Sequence, residues 1–117
     1  MKQIIAIKKN HEFRRIYAKG ASAATACLVL YHRKNRLGKN RLGLTVSTKV
    51  GCAVVRNRTR RRLREIYRLH KAELLPGEDL ILVARVKAAH VSYAQLEKEY
   101  LRLLGKLDIL RKEGGKA

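Results

Sequence analysis

Residues 53–70 read AVVRNRTRRRLREIYRLH, and the reading of this stretch decides how the rest of the chain is arranged. At about 100° per residue, Val55, Thr59, Leu63, Ile66 and Leu69 fall on one arc of a helical wheel. Arg56, Arg60, Arg61, Arg64 and Arg68 share the opposite arc, with Asn57 in its middle. Arg58 lies at the boundary. Arg62 falls on the apolar side, where its stem can pack while its head reaches water. The spacing predicts one helix over 53–70 with a core-facing stripe and a cationic ridge. Like charges on consecutive turns repel by roughly 0.2–0.5 kcal/mol per pair, and Glu65 is the only acid in the stretch. Such a ridge is sensible if anions arrive from outside, and arginine suits forked contacts to phosphate.

On the N-terminal side, Asn10 reads as a helix N-cap, with Glu12 in the first turn and Gly20 as the stop. Phe13, Ile16 and Tyr17 give that helix, over 10–19, a narrow aromatic face. Residues 26–33 and 42–48 alternate as strands, and the polar, Gly-containing turn 34–41 predicts that they pair antiparallel. On the C-terminal side, Pro76-Gly77 breaks the chain. Residues 79–86 are apolar on nearly both faces, as in a central strand, with Arg85 interrupting the pattern. Ser92-x-x-Gln95 fits a capping box, and Leu96, Tyr100, Leu103, Leu107 and Leu110 continue at helical spacing. The order α-β-β-α-β-α predicts an α+β fold, an α-β sandwich around a central, mostly antiparallel sheet. The piece 42–86 could also form a parallel crossover. One domain spans 1–117, with 113–117 a disordered tail.

The chain has 117 residues, 46% of them apolar, enough for a core. Lys and Arg number 28 against 9 Asp and Glu, a net charge of +19. A chain so charged repels itself and points to a polyanionic partner. Nucleic acid comes first, because counterion release rewards each phosphate neutralised; an anionic membrane surface and an acidic protein follow. No apolar run is long enough to span a bilayer. Met1–Lys9 is too short and too charged for a secretory signal, so the cytoplasm is the expected location. Cys27 and Cys52 match no zinc spacing and read as two buried thiols in a reducing compartment. No Gly-rich phosphate loop, GxSxG or HExxH occurs. The carboxylates show no paired pattern, and His11, His32, His70 and His90 are scattered. No side chain stands out as a general base.

The run Lys49-Val50-Gly51-x-Ala53-Val54-x-Arg56-Asn57-Arg58-x-Arg60-Arg61-x-x-Arg64-Glu65 resembles the signature of the bacterial ribonuclease P protein subunit. The resemblance extends in matching order through Phe13, Leu28–Tyr31, Gly43-Leu44-x-Val46-Ser47, Asp79 to Arg85, and Ser92-Tyr93. It implies a sandwich with an unusual left-handed β-α-β crossover, against the common right-handed rule. It further implies an endonuclease that matures the 5′ end of transfer RNA, in which a catalytic RNA and its Mg2+ ions do the chemistry. Carried over by position, Arg56, Asn57, Arg58, Arg60, Arg61 and Arg64 contact that RNA, and Arg68 extends the same ridge. Phe13, Tyr17 and Tyr31 match aromatic positions of a cleft for the single-stranded 5′ leader of precursor tRNA; Ser47 and Lys49 match its polar lining. Stacking plus a positive groove is how single-stranded RNA is held, although Phe13 at helical spacing fits a core position equally well. Three positions depart from the family pattern: Tyr17 stands where an apolar aromatic is common, Arg62 where an aliphatic is, and Cys52 where a small polar residue is. The expected partners are the catalytic RNA and precursor tRNA, with no membrane, DNA or obligate protein partner. The competing readings are a ribosomal or general RNA-binding protein and a dimeric DNA-binding regulator.

Overall fold

The structure, a computed structural model, describes residues 4–110. Its organising element is a strand apolar on both faces, β5 (Glu78–Ala84), every residue of which is buried or nearly so. Such a strand needs a partner on each side. It pairs antiparallel with β3 (Leu28–Lys34), from Leu28↔Ala84 to Lys34↔Glu78. On its other side it pairs parallel with β4 (Arg41–Val46), from Arg41↔Asp79 to Val46↔Ala84. The expected antiparallel pairing of 26–33 with 42–48 therefore does not form, because β5 lies between them. The connecting turn is what permits this. The Asn35 amide donates to the Gly77 carbonyl (2.7 Å), its side chain donates to Asp79 Oδ1 (2.6 Å), and Asn40 Oδ1 accepts from the Glu78 amide (2.8 Å). Two asparagines thus hold the lane between β3 and β4 open and seat the start of β5 in it.

Two short strands that alternation did not reveal complete the sheet: β1 (Ile5–Ala6), parallel to β4, and β2 (Ala21–Ala24), antiparallel to β3. The order is β1-β4-β5-β3-β2, antiparallel on one side of β5 and parallel on the other. The small residues of β2 carry little β signal by themselves; pairing with β3 makes them a strand.

Three helices cover the sheet: α1 (Asn10–Lys19), α2 (Ala53–His70) and α3 (Tyr93–Lys106). Helix α2 is the parallel crossover between β4 and β5. One sheet face carries Leu28, Leu30, Leu42, Val46, Leu80, Leu82 and Ala84 beneath Leu63, Ile66 and Tyr67 of α2 and Leu96, Tyr100, Leu103 and Leu104 of α3. A fully buried leucine contributes roughly 2 kcal/mol, so this side dominates stability. Among the described residues the other face is covered by α1 alone, over a small cluster of Ile7, Ile16 and Ile81 with Phe13, Tyr31 and Val83 at its margin.

The helix ends differ in detail from the sequence reading. Lys9, not Asn10, is the N-cap of α1. Gly20 stops the helix in an extended conformation, and a Cβ there would lie 2.6 Å from the carbonyl oxygens of Ile16 and His32. Close approach of α1 to β3, not a left-handed turn, requires the glycine. At α3, Ser92 Oγ accepts from the Gln95 amide (3.1 Å). The Gln95 side chain turns instead to Glu99 (2.8 Å), so only half of the capping box forms. The expected tail, 113–117, lies outside the described residues.

Candidate nucleic-acid interface

Helix α2 spans the range its periodicity predicts. Thr59, Leu63, Ile66 and Tyr67 are buried. Leu69, expected on the core side, is half exposed at 50%. It sits on the rim of the apolar arc, and Tyr67, nearer the centre, takes its place. Arg62 packs its stem between α2 and the loop before α3 and donates to the Val91 carbonyl (3.3 Å). An arginine at this aliphatic position is thereby accommodated.

The ridge is not uniform. Asn57, Arg58, Arg61, Arg64 and Arg68 are exposed, whereas Arg56 and Arg60 are partly buried. Arg56 folds back so that Nε donates to the Gly51 carbonyl (3.1 Å). Arg60 donates to Asn57 Oδ1 (3.0 Å). Arg68 makes a forked pair with Glu65 (3.0 and 2.6 Å), which holds the Glu65 carboxyl below its usual range. Among the described residues, Arg58, Arg61 and Arg64 have no partner. Their charge is left for something outside the chain.

Beside this ridge the sheet offers a groove. Strand β1 pairs only with Arg41 and Leu42, so the outer edge of β4 from Gly43 to Val46 has no neighbouring strand among the described residues. A hollow of about 490 Å³ runs along it, lined by Asn10, Phe13, Arg14 and Tyr17 of α1, Leu44 to Val46 of β4 and Arg60 of α2. A second hollow shares Phe13, Leu44 and Arg60 and adds Ile7, Leu42 and Arg64. The two together form one groove between α1 and the ridge.

Of the three aromatics expected in a cleft, Phe13 and Tyr17 line this groove, and Tyr31 touches Tyr17 without being part of the lining. Phe13 and Tyr17 have ring centroids 6.3 Å apart, and Tyr17 and Tyr31 meet edge to face at 4.8 Å. The Tyr17 hydroxyl bonds Thr45 Oγ1 (2.9 Å), so the hydroxyl at this position fixes its ring to β4. Gly43 is the floor beneath Phe13: a Cβ there would stand 2.8 Å from Phe13 Cε1 and Cζ. Ser47 and Lys49 are exposed just beyond the groove lining, Ser47 as the cap and Lys49 within the 3-10 turn Thr48–Val50 that leads to α2, with Ser47 Oγ accepting from the Lys49 amide (3.3 Å).

A charged network that no motif signalled sets the position of α1. Arg41 donates from Nε and Nη2 to the two Asp79 oxygens (2.9 and 2.8 Å) and from Nη1 to Glu12 of α1 (3.1 Å). These bonds outweigh burial and raise the Arg41 pKa further above its already high value. Arg14, Asn10 (read only as a helix cap) and Thr45 were also absent from the set of site residues expected from the sequence. The i, i+3/i+4, i+7 spacing Asn10, Phe13/Arg14, Tyr17 carried the signal for the first two.

The carboxylates are largely committed. Glu78 holds His32 and Lys34; Glu73 and Glu97 hold His70; Glu99 accepts from Thr25, Cys27 and Gln95. Among the described residues no group of three or more His, Cys, Asp or Glu side chains is placed to hold a metal ion, and no helix is long and apolar enough to cross a membrane.

Comparison with known proteins gives a consistent picture. The family model described as Ribonuclease P matches residues 1–108. The ribonuclease P protein component of Natranaerobius thermophilus is 45% identical over 112 residues, covering 96% of this chain and 97% of that protein. The Staphylococcus aureus RNase P protein superposes with a TM-score of 0.85 at 34% identity, covering 93% of this chain and all of that one. The Thermotoga maritima RNase P protein gives 0.79 at 28% identity, covering 90% of this chain and 97% of its own.

Proposed function

This chain belongs to the ribonuclease P protein family, and we propose that it works there as the non-catalytic protein subunit, using two adjoining surfaces for two RNAs. In this reading the ridge of α2, with Asn57, Arg58, Arg61 and Arg64 outermost, contacts the catalytic RNA. The groove beside it takes the single-stranded 5′ leader of precursor tRNA. One observation carries the reading: Phe13 and Tyr17, the latter in edge-to-face contact with Tyr31, line a groove that contains no acid and is flanked by the helix that bears the free guanidiniums. Stacking on such a platform contributes roughly 1–3 kcal/mol per base, and the flanking charge favours the backbone.

Hydrolysis of the phosphodiester falls to the RNA partner. Mg2+ held by the catalytic RNA and substrate, not by this chain, would supply Lewis-acid activation there. The donor set of this chain is a poor fit for such an ion: the described carboxylates other than Asp108 are bonded to cations, amides or a hydroxyl, and no three ligating side chains among the described residues are grouped. What the chain contributes is orientation and charge neutralisation along the substrate strand. The site of action in this reading is the cytoplasm, with no DNA, membrane or further protein needed.

Depletion of the protein tests this directly: 5′-extended tRNA precursors accumulate if the reading is right, and normal 5′ ends overturn it. At residue level, Tyr31→Ala weakens binding of precursor much more than of mature tRNA. Equal losses for both remove Tyr31 from the leader site. Replacing Arg61 and Arg64 with Ala lowers affinity for the catalytic RNA and flattens its salt dependence. An unchanged slope means that the ridge faces something else.

A further inference from the structure

Helix α1 has two flanks, and they differ in charge. On one flank, Arg15 faces a hollow with Arg33, Arg36 and Arg41 whose lining also holds Glu12 and Asp79. Those acids already engage Arg41, so the cations there are partly answered from within the chain. On the other flank, Arg14 opens onto the aromatic groove, whose lining contains no carboxylate. Arg14 is exposed and has no hydrogen-bond or ion-pair partner among the described residues. It stands next to Phe13 and one turn before Tyr17, while Arg60 reaches the same groove from α2. The groove therefore has aromatic faces for bases along its length and a guanidinium supplied by each of two helices.

We propose that Arg14 is a substrate-contacting residue of this groove, its guanidinium together with that of Arg60 gripping one phosphate of the strand whose bases stack on Phe13 and Tyr17. This rests on the reading of the groove as the leader site and adds a residue and a chemical contact to it. The geometry suits a backbone and not a base edge. Both arginines project from helices at the groove margin, and the polar pair at its floor, Tyr17 and Thr45, is already bonded to itself. A planar fork shared between two guanidiniums and one phosphate is a strong form of charge-assisted hydrogen bonding. It also explains the choice of side chain on α1, where an exposed position could have carried any helix former.

The test uses the protein reconstituted with its catalytic RNA and two precursor tRNAs, one with a leader long enough to fill the groove and one with a single leader nucleotide. Arg14→Ala weakens binding of the long-leader precursor about ten- to a hundredfold, the size of one charge-assisted contact. It leaves the short-leader precursor and the affinity for catalytic RNA unchanged. Arg14→Lys recovers part of the loss, because charge is kept and the fork is not. Single methylphosphonate substitutions, which remove the charge of one linkage at a time, locate the contact. One linkage costs the unaltered protein affinity but costs Arg14→Ala nothing further. If the unaltered protein itself binds both precursors equally, the leader reading of the groove fails. If it prefers the long leader and Arg14→Ala keeps that preference in full, the leader reading stands and the role of Arg14 is refuted. The far-UV circular dichroism and melting temperature of both variants match the parent, since the side chain is exposed and makes no hydrogen bond or ion pair among the described residues.

Discussion

Replacing Gly43 with alanine tests the link between the sheet and the groove without touching a charged or aromatic residue. A Cβ at position 43 falls 2.8 Å from Cε1 and Cζ of Phe13 and 3.4 Å from Ile81. Carbon atoms in ordinary contact sit about 3.5–4.0 Å apart, so the Phe13 ring must rise by about 1 Å. Overpacking of this kind costs roughly 1–3 kcal/mol. The loss of glycine freedom in the unfolded chain returns roughly 0.4–1 kcal/mol. The net expectation is a destabilisation of about 1–2 kcal/mol in urea unfolding. A second effect follows at the groove: a lifted and tilted Phe13 no longer offers the same face, and affinity for leader-bearing precursor falls while that for mature tRNA does not. The double variant with Phe13→Leu separates the causes, because leucine has no atoms where Cε1 and Cζ stood. In that background Gly43→Ala costs little stability, a coupling of about 1 kcal/mol in a double-mutant cycle. If Gly43→Ala destabilises both backgrounds equally, the ring is not what the missing Cβ accommodates, and the account of the groove floor is wrong.

Three further outcomes can be measured. His70 is held by Glu73 and Glu97 through its two ring nitrogens at 2.9 and 2.6 Å. Burial alone would lower its pKa, but the two carboxylates raise it above the ordinary 6.5. The stability this adds is fully present below that value and lost as pH rises through the raised one, so His70→Asn flattens the decline of melting temperature on the alkaline side of 6.5. Glu99 has the opposite sign. Burial pushes its pKa up, but bonds from Thr25, Gln95 and Cys27 prevail and bring it down to about 2. Its contribution holds above 4.5 and vanishes as pH falls towards 2; an acid titration of Glu99→Gln lacks that slope, and a parallel curve contradicts the assignment. Cys27 is buried as the sequence suggests, but Cys52, also expected to be buried, is exposed as the N-cap of α2, where the amides of Val55 and Val54 lower its pKa, whereas burial and Glu99 raise that of Cys27. Native protein treated with iodoacetamide takes up one adduct quickly, at Cys52, and a second only on unfolding; rapid double labelling would place Cys27 near solvent.

The parts of the fold governed by local periodicity were legible in the sequence. The two faces of α2, the core stripe of α3 and the doubly apolar β5 each follow from residue spacing alone. What spacing could not supply was which strands become neighbours. The turn between β3 and β4 looked like a hairpin, and only the side chains of Asn35 and Asn40, bonded to β5, show why it is not one. In the candidate interface, the aromatic trio and the free arginines of α2 were readable. Arg56 and Arg68 were not, as to their state, because their partners Gly51 and Glu65 depend on how each side chain turns. The groove itself was invisible for a related reason: it exists because β1 stops after two residues and α1 covers its face of the sheet alone.

The placement of β5 also has a consequence in time. Strands β3 and β4 are made early, yet neither pairs with the other; each waits for a lane-mate whose last residue lies about 40 residues beyond Val46. At translation speeds of about 5–20 residues per second the interval is about 2–8 s. The arginine helix is itself made within this interval, before the sheet meant to support it is complete. The nascent chain therefore presents its most cationic segment to surrounding polyanions before it owns a folded core, and final consolidation of the ridge comes only with the arrival of Ala84.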